Sequence, residues 1–403
     1  MLEEVVGSGV GPVGGRVVAE PALVVTVSVG GGARSGELHA TKAATTSMRY
    51  RPGVLKDHLL DRIGRHGPIP FEEFMGTALY DSEQGYFTSG SLRSVKEGDF
   101  LTSPEVSPLF GQMLARFVDR ERQRIGDPPD FTVVDVGAGS GSLLRSLVQS
   151  LARYAEAWAV EVSQAALGLA PTRAAGTLDD LPALFPGVII ANELLDNLPV
   201  ALATWTAGGW RERWVGVMDD RLALVEVSAR PEVAAWADSF GLPVEEGGQV
   251  EVQLAAGEWL RSALGKLKAG SVVVIDYGDT AQGLAPRRKA GTLRTYRHHH
   301  LGPDPLEAPG ETDITVDVNF TALAAAARAK GASVELIRQE DFLVALGLRE
   351  ELARLRQGEL ALARAGKPSE RLRVRSELTD GEALLHPRGL GDFRVLVASF
   401  RGL

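Results

Sequence analysis

An open, mostly parallel α/β sheet is the fold the sequence predicts, and three stretches carry the prediction. Phe131–Leu147 reads as a buried strand, a glycine turn and an amphipathic helix in immediate succession. Gly187–Val200 begins as a second buried strand and ends in a polar cluster. Val272–Ile275 is a third apolar, β-branched run, closed by Asp276, Tyr277 and Gly278. Strands of this kind alternating with helical patterns favour parallel pairing, with chemistry at the carboxyl edge.

The first stretch is FTVVDVGAGSGSLLRSL. Phe131–Val136 supplies the strand, and Leu143, Leu144, Leu147, Val148 and Leu151 recur at one-face helical spacing. Gly137, Gly139 and Gly141 sit at the joint. Glycine there permits a sharp turn and close approach of a ligand to the main chain, while the helix start offers unpaired N–H groups. A dinucleotide site wants G-x-G-x-x-G, but the third position is Ser142, and no Lys or Arg stands in the turn. The pattern present is D-x-G-x-G-x-G. Asp135 at the strand end suits a ligand with a positive amino group, as the methionine part of S-adenosylmethionine (SAM) has. The alternative is a tight turn that binds nothing, for which three alternating glycines are a costly choice.

Ala157–Val162 reads as the next strand, with Glu161 where an acid accepts hydrogen bonds from ribose hydroxyls in doubly wound folds. Asp179 and Asp180 in Thr177–Leu181 suit either an adenine amino group or a helix cap. In Gly187–Val200 the cluster Asn192, Glu193, Asp196 and Asn197 opens at the carboxyl end of its strand.

Five motifs then stand in order: GDFLTSPEVSPLFGQ (Gly98–Gln112), VVDVGAGSGSL, IIANELLDNLPV, VVVIDYGD (Val272–Asp279) and GTLRTYRHH (Gly291–His299). Together, from about Met48 to the C-terminus, they resemble the bacterial and mitochondrial family of complex I assembly-factor arginine methyltransferases. That resemblance implies a seven-stranded, Rossmann-like (class I) SAM methyltransferase whose mitochondrial members methylate an arginine of a respiratory complex I subunit. It implies SAM as cofactor and a protein substrate. It also implies that the loop Gly98–Phe100 closes over the cofactor, which makes Asp99 and Ser103 cofactor-side candidates beside Asp135, Gly137, Gly139, Gly141, Glu161 and Asp179. One histidine of His298–His300, or Tyr296, is a substrate contact on the same ground, against a solvated loop; a metal held by three consecutive histidines is not expected.

The chemistry gives an independent argument for a guanidinium. Arginine keeps its charge, so an enzyme must hold and polarise a cation. A carboxylate accepting two parallel N–H bonds orients the remaining nitrogen towards the methyl. Glu193 is the first candidate, Asp196 the second with a turn cap as its alternative, and Asn192 completes the catalytic set. SAM is already activated, so geometry and charge placement suffice and no metal is required.

Ser103, Pro104 and Glu105 read as N-cap, first helical residue and first-turn acid, before the face Phe110, Met113, Leu114, Phe117 and Val118. Glu105 is a capping acid or a site residue. Tyr80, Asp81, Gly85, Tyr86 and Phe87 carry the resemblance upstream, as site or packing aromatics.

The expected order is helices at Val54–Arg65 and Phe71–Leu79, the lid loop, the Ser103 helix, then strands ending near Asp135, Glu161 and Ala191. A meander over Thr204–Val227, turning at Gly208–Gly209 and Asp219–Asp220, precedes helices at Pro231–Phe240 and Glu258–Leu267. The sheet resumes at Val272–Ile275, followed by a helix at Phe320–Lys330 and a strand at Ser333–Ile337. A final strand at Phe393–Phe400 pairs antiparallel with it. Three regions follow: a low-complexity, disordered tail over 1–47, a helical N-terminal lid region over 48–126, and a core over 127–403. Insertions near 203–270, 280–318 and 341–390 form a substrate subdomain.

The 403 residues, 44% apolar and 24% charged, are enough to bury a large core. A net charge of −9 argues against nucleic acid and suits a basic protein or peptide. With no cysteine, disulfides and thiolate metal sites are excluded. No apolar run reaches membrane-spanning length, and Glu3 and Glu4 replace the basic start of a signal peptide. The cytoplasm is the expected compartment, without membrane insertion, and a homodimer is left open.

Overall fold

The computed structural model describes residues 53–89, 102–241, 243–297 and 300–400. Gly98–Phe100, expected as a lid, His298–His299 and the stretch 1–47 lie outside them.

The central sheet has seven strands, β1 (Thr132–Val136), β2 (Glu156–Val160), β3 (Arg173–Ala175), β4 (Phe185–Asn192), β5 (Leu267–Asp276), β6 (Ser333–Arg338) and β7 (Arg394–Phe400). Their spatial order is β3-β2-β1-β4-β5-β7-β6. The first five pair in parallel, while β7 runs antiparallel to both β5 and β6, as the sequence predicts for Phe393–Phe400. The order reverses at β1, whose neighbours are β2 and β4. In open α/β sheets that switch point leaves a crevice at the carboxyl edge.

Both faces of the sheet are covered, so its strands alternate between two cores instead of between core and water. Val134, Ile189, Val272, Val274 and Leu396 point to one core, with Leu260, Phe320 and Leu323. Val133, Val188, Ile190, Val273 and Val395 point to the other, with Phe110, Met113, Leu114, Leu143 and Leu147.

Helix α1 (Val54–His66) and helix α2 (Phe71–Tyr80) pack elsewhere, on a five-stranded antiparallel sheet. That sheet contains the expected meander, Ala201–Thr206, Gly209–Met218 and Arg221–Ser228, together with Ile69–Pro70 and Gln249–Val252. Asp219 and Asp220, at φ 48° and 57°, make its two-residue hairpin turn, in the left-handed geometry such turns demand.

The entry to the second of these cores differs from the sequence reading. Thr102, not Ser103, precedes the short helix Ser103–Val106, and Ser107 caps the long helix α3 (Pro108–Arg124) by accepting from Leu109 N. Two Ser-Pro pairs occur four residues apart, and the second restarts the helix. Proline at a first helical position is favourable and in the interior is not. The apolar face predicted from Phe110 onward belongs to α3.

Candidate active site

Past the end of β1, the turn passes through Gly137, Gly139 and Gly141 at φ 73°, 51° and 74°. All three are left-handed, the conformation that favours glycine. Helix α4 (Ser142–Ser150) starts directly after Gly141, with no side chain capping it. Asp135 is 2% exposed, and its Oδ2 has no hydrogen-bond partner. Burial, then the charge of Glu161, pushes its carboxyl up to about 8, against the Leu144 N–H. Glu161 follows β2 and reaches back to the turn, where Oε2 accepts from Gly139 N at 2.9 Å and Oε1 from Ser163 N at 2.9 Å.

A cavity of about 460 Å³ lies over these strand ends. Asp135, Gly137, Gly139 and Glu161 line one side; Asn192, Glu193, Asn197 and Pro199 line another. Tyr80 and Phe87, ring centroids 5.7 Å apart, and Trp259 supply aromatic walls. Tyr80 and Phe87 are therefore cavity residues, whereas Tyr86 is fully buried in the packing beneath. Trp259 had no signal in the sequence: its helix, Leu254–Gly265, is ordinary apolar packing over most of its face.

Glu193 follows β4 at φ 52° and donates its N–H to Ile275 O at 2.8 Å. Its Oε1 accepts from Ser103 N at 3.1 Å and from Asn192 Nδ2 at 3.2 Å. Burial pushes the carboxyl up to about 8, while the Ser103 N–H pulls it down and Asp196 raises it further. Asn192 is buried, its Nδ2 committed to Glu193 and its Oδ1 unpartnered.

Asp196 differs from both of its sequence readings. The capping position of the following turn is held by Leu194, and Asp196 does not line the cavity. Its Oδ2 accepts from the hydroxyls of Tyr277 and Thr315, and burial holds its carboxyl above the ordinary range. Asn197 beside it donates to Asp313 Oδ1 at 2.8 Å and Ile314 O at 3.1 Å. The turn after β4 is thus tied to the strand Asp313–Thr315, a long-range pairing that local spacing cannot show.

Three further candidates are corrected. Asp179 points to solvent, its side chain 91% exposed and its carboxylate 3.7 Å from Lys266 Nζ, away from the cavity. Its neighbour Asp180 accepts from Thr177 N and Oγ1, which is the capping alternative. The Ser103 hydroxyl is turned away and meets Gln339 Nε2 at 3.4 Å; only its N–H serves the site, through Glu193. Gly141 shapes the turn without lining the cavity, and Asp99 lies outside the described residues. Glu105 joins the site from the short helix, accepting from Ser140 Oγ at 2.7 Å.

An orphaned carboxylate oxygen, a left-handed glycine turn and a second strand-end acid at a switch point fit a ligand with a cationic end and a hydroxylated ring. Among the described residues no group of His, Cys, Asp and Glu is arranged to hold a metal. The fold and site define a SAM-dependent methyltransferase. The chain belongs to the family of putative S-adenosyl-L-methionine-dependent methyltransferases, whose model matches residues 113–337.

Relatives extend the match beyond that core. The mitochondrial protein arginine methyltransferase NDUFAF7 of Homo sapiens is 30% identical over 379 residues, covering 83% of this chain and 80% of that protein. Its Mus musculus counterpart is 29% identical over 378 residues, covering 83% and 81%. A Burkholderia thailandensis crystal structure bound to S-adenosyl-homocysteine aligns with a TM-score of 0.76 at 29% identity, covering 92% of this chain and 96% of that one. SAM is accordingly the cofactor of an enzyme of the expected seven-stranded type. The relatives also correct the expected compartment. They are mitochondrial by name, so an acidic N-terminus is no ground for a cytoplasmic assignment. No helix among the described residues is long and apolar enough to cross a membrane.

Proposed function

We propose that the enzyme methylates an arginine side chain of a protein substrate. The observation that carries this reading is the carboxylate of Glu193. Oε1 is anchored by Ser103 N and Asn192 Nδ2, and Oε2 carries no hydrogen bond among the described residues. An anchored carboxylate with one free oxygen on a cavity wall is suited to grip a planar cation from one side. The names of the relatives agree with that chemistry.

In this reading Asp135 faces the amino group of SAM, Glu161 exchanges its bond to Gly139 N for the ribose hydroxyls, and Gly137 and Gly139 give the main chain its close approach. Bound SAM supplies a methyl already activated on a sulfonium. Glu193 would orient the guanidinium and take the proton that the attacking nitrogen sheds as its lone pair forms the N–C bond, the methyl's S–C bond breaking to leave neutral S-adenosylhomocysteine. A carboxyl held near 8 exchanges that proton with neutral water readily.

The test is transfer of labelled methyl from SAM into lysate protein of the source organism, with mass spectrometry of the product. Label on an arginine nitrogen is expected. Label on another side chain or on a small molecule would replace this reading with a different acceptor, and SAM binding without transfer would favour an assembly role for the same fold.

A further inference from the structure

The conformation of Glu193 is held from outside its own turn. Its φ of 52° lies in the left-handed region that L side chains avoid, and the residue is not glycine. Strain of this kind persists only where the surroundings over-determine it. Directly after Glu193 comes a short 3-10 turn, Leu195–Asn197, whose capping position is Leu194. Leucine has no acceptor to offer, so the first N–H groups of that turn need another partner.

Asp276 provides it from the neighbouring strand. Its Oδ2 accepts from Leu195 N at 3.0 Å and Asp196 N at 3.3 Å, and its Oδ1 accepts from Tyr277 N at 2.9 Å. The residue before it, Ile275, takes the N–H of Glu193 itself. The tip of β5 therefore holds three donors of the turn after β4, at positions 193, 195 and 196. Asp276 is fully buried, does not line the cavity, and bonds only to main-chain N–H groups. Both carboxyl oxygens of Asp276 act as acceptors here, which an amide of the same shape cannot reproduce.

We propose that Asp276 is a positioning residue of the methyl-transfer reaction: it caps the 3-10 turn from the adjacent strand and thereby aims the Glu193 carboxylate into the cavity. The inference rests on the assignment of Glu193 to the substrate cation. It assigns to the motif VVVIDYGD a role that neither SAM binding nor the glycine turn accounts for. Asp276 touches neither substrate nor cofactor and acts through Glu193 alone.

A double-mutant cycle in the full-length enzyme tests it. The probe is the initial rate of labelled methyl transfer from SAM into the lysate protein that the wild type labels, with SAM affinity measured by calorimetry. Asp276→Asn keeps the volume and gives up one acceptor, and the rate should fall about tenfold with SAM affinity unchanged. In the Glu193→Gln background the same change should cost less than about twofold, because the group being aimed is already gone. Asp276→Ala should show the same pattern more strongly; if it does not fold, the asparagine variant decides.

Equal losses in both backgrounds would show a general structural role and overturn the proposal, as would a parallel loss of SAM affinity or a wild-type rate for Asp276→Asn. An unaffected rate in Glu193→Gln alone would overturn the guanidinium clamp and this inference with it. A large loss there with independent effects of Asp276 would overturn only the inference.

Discussion

The turn after β1 and the turn after β4 face the same cavity and are built on opposite principles. The first is local. Gly137, Gly139 and Gly141 take left-handed conformations at little cost, and its acid, Asp135, lies in the same strand. The second is long-range. Glu193 takes the same backbone region against its own preference, held by Ile275, by Asp276 and by the N–H of Ser103, ninety residues away in sequence. A turn that must admit a ligand close to its main chain is served by glycine, because any side chain would stand in the way. A turn that must present a side chain at a fixed angle cannot use glycine, and its neighbours must enforce the geometry instead.

Glu193→Gln should give the largest effect and separates the two turns. The amide keeps the volume and one oxygen for Ser103 N, but removes the charge that orients a cation. Turnover should fall by roughly two orders of magnitude or more while SAM affinity stays within about twofold. Full turnover with the true protein substrate would end the clamp mechanism.

Gly139→Val is the converse. A β-branched residue is badly strained at φ 51°, and its side chain would occupy the approach to the main chain. SAM affinity should drop at least about tenfold in calorimetry, since the strain and the blocked approach act together. Unchanged affinity would remove the cofactor from this turn.

These two outcomes also measure what the sequence made legible. Six of the seven sheet strands, the glycine turn and the strand-end positions of Asp135 and Glu161 follow from periodicity and from residue types within short windows, whereas the edge strand Arg173–Ala175 and the helices Leu348–Arg364 and Pro368–Ala383, inside a stretch read only as an insertion, do not. Asp196 does not follow. Its partners Tyr277 and Thr315 stand 81 and 119 residues away, so the spacing around it suggested a cap or a clamp when the side chain serves a buried anchor. Ser103 fails for the same reason, because only the packing against Gln339 decides that its hydroxyl turns away while its N–H turns inward. Trp259 is invisible because one cavity aromatic on a packed helix has no periodic mark. Asp276 was legible in part, as the acid closing a predicted strand at the carboxyl edge, but the donors it holds belong to another strand.

The pH dependence sharpens the comparison with a smaller effect. Burial raises the Glu193 carboxyl to about 8, so below that pH the free enzyme holds it protonated and unable to orient a cation. kcat/KM should therefore rise with pH, with an inflection near 8 and a fall of about tenfold per unit well below it. A bound guanidinium stabilises the carboxylate and pulls its titration down, so the inflection in kcat should lie lower. Asp135 is also held near 8, which makes the control necessary. Glu193→Gln should flatten the part of the profile that SAM affinity does not share. An identical profile in that variant would assign the titration to the cofactor side.

The smallest expected effect belongs to Asp179, which tests whether the cofactor contacts end where the cavity does. An acid beyond the second strand was a reasonable adenine acceptor by position, yet its side chain is 91% exposed and pairs at 3.7 Å with Lys266. Exposed pairs of this kind contribute about 0 to 1 kcal/mol and are screened by salt. Its neighbour Asp180 already caps the turn through Thr177, so the local backbone does not depend on Asp179 either. Asp179→Asn should leave SAM affinity within about twofold by calorimetry, the size of change expected from a solvent-screened charge. A drop of tenfold or more would mean that the 178–180 turn swings inward when SAM binds, and that the cofactor contacts extend beyond the cavity.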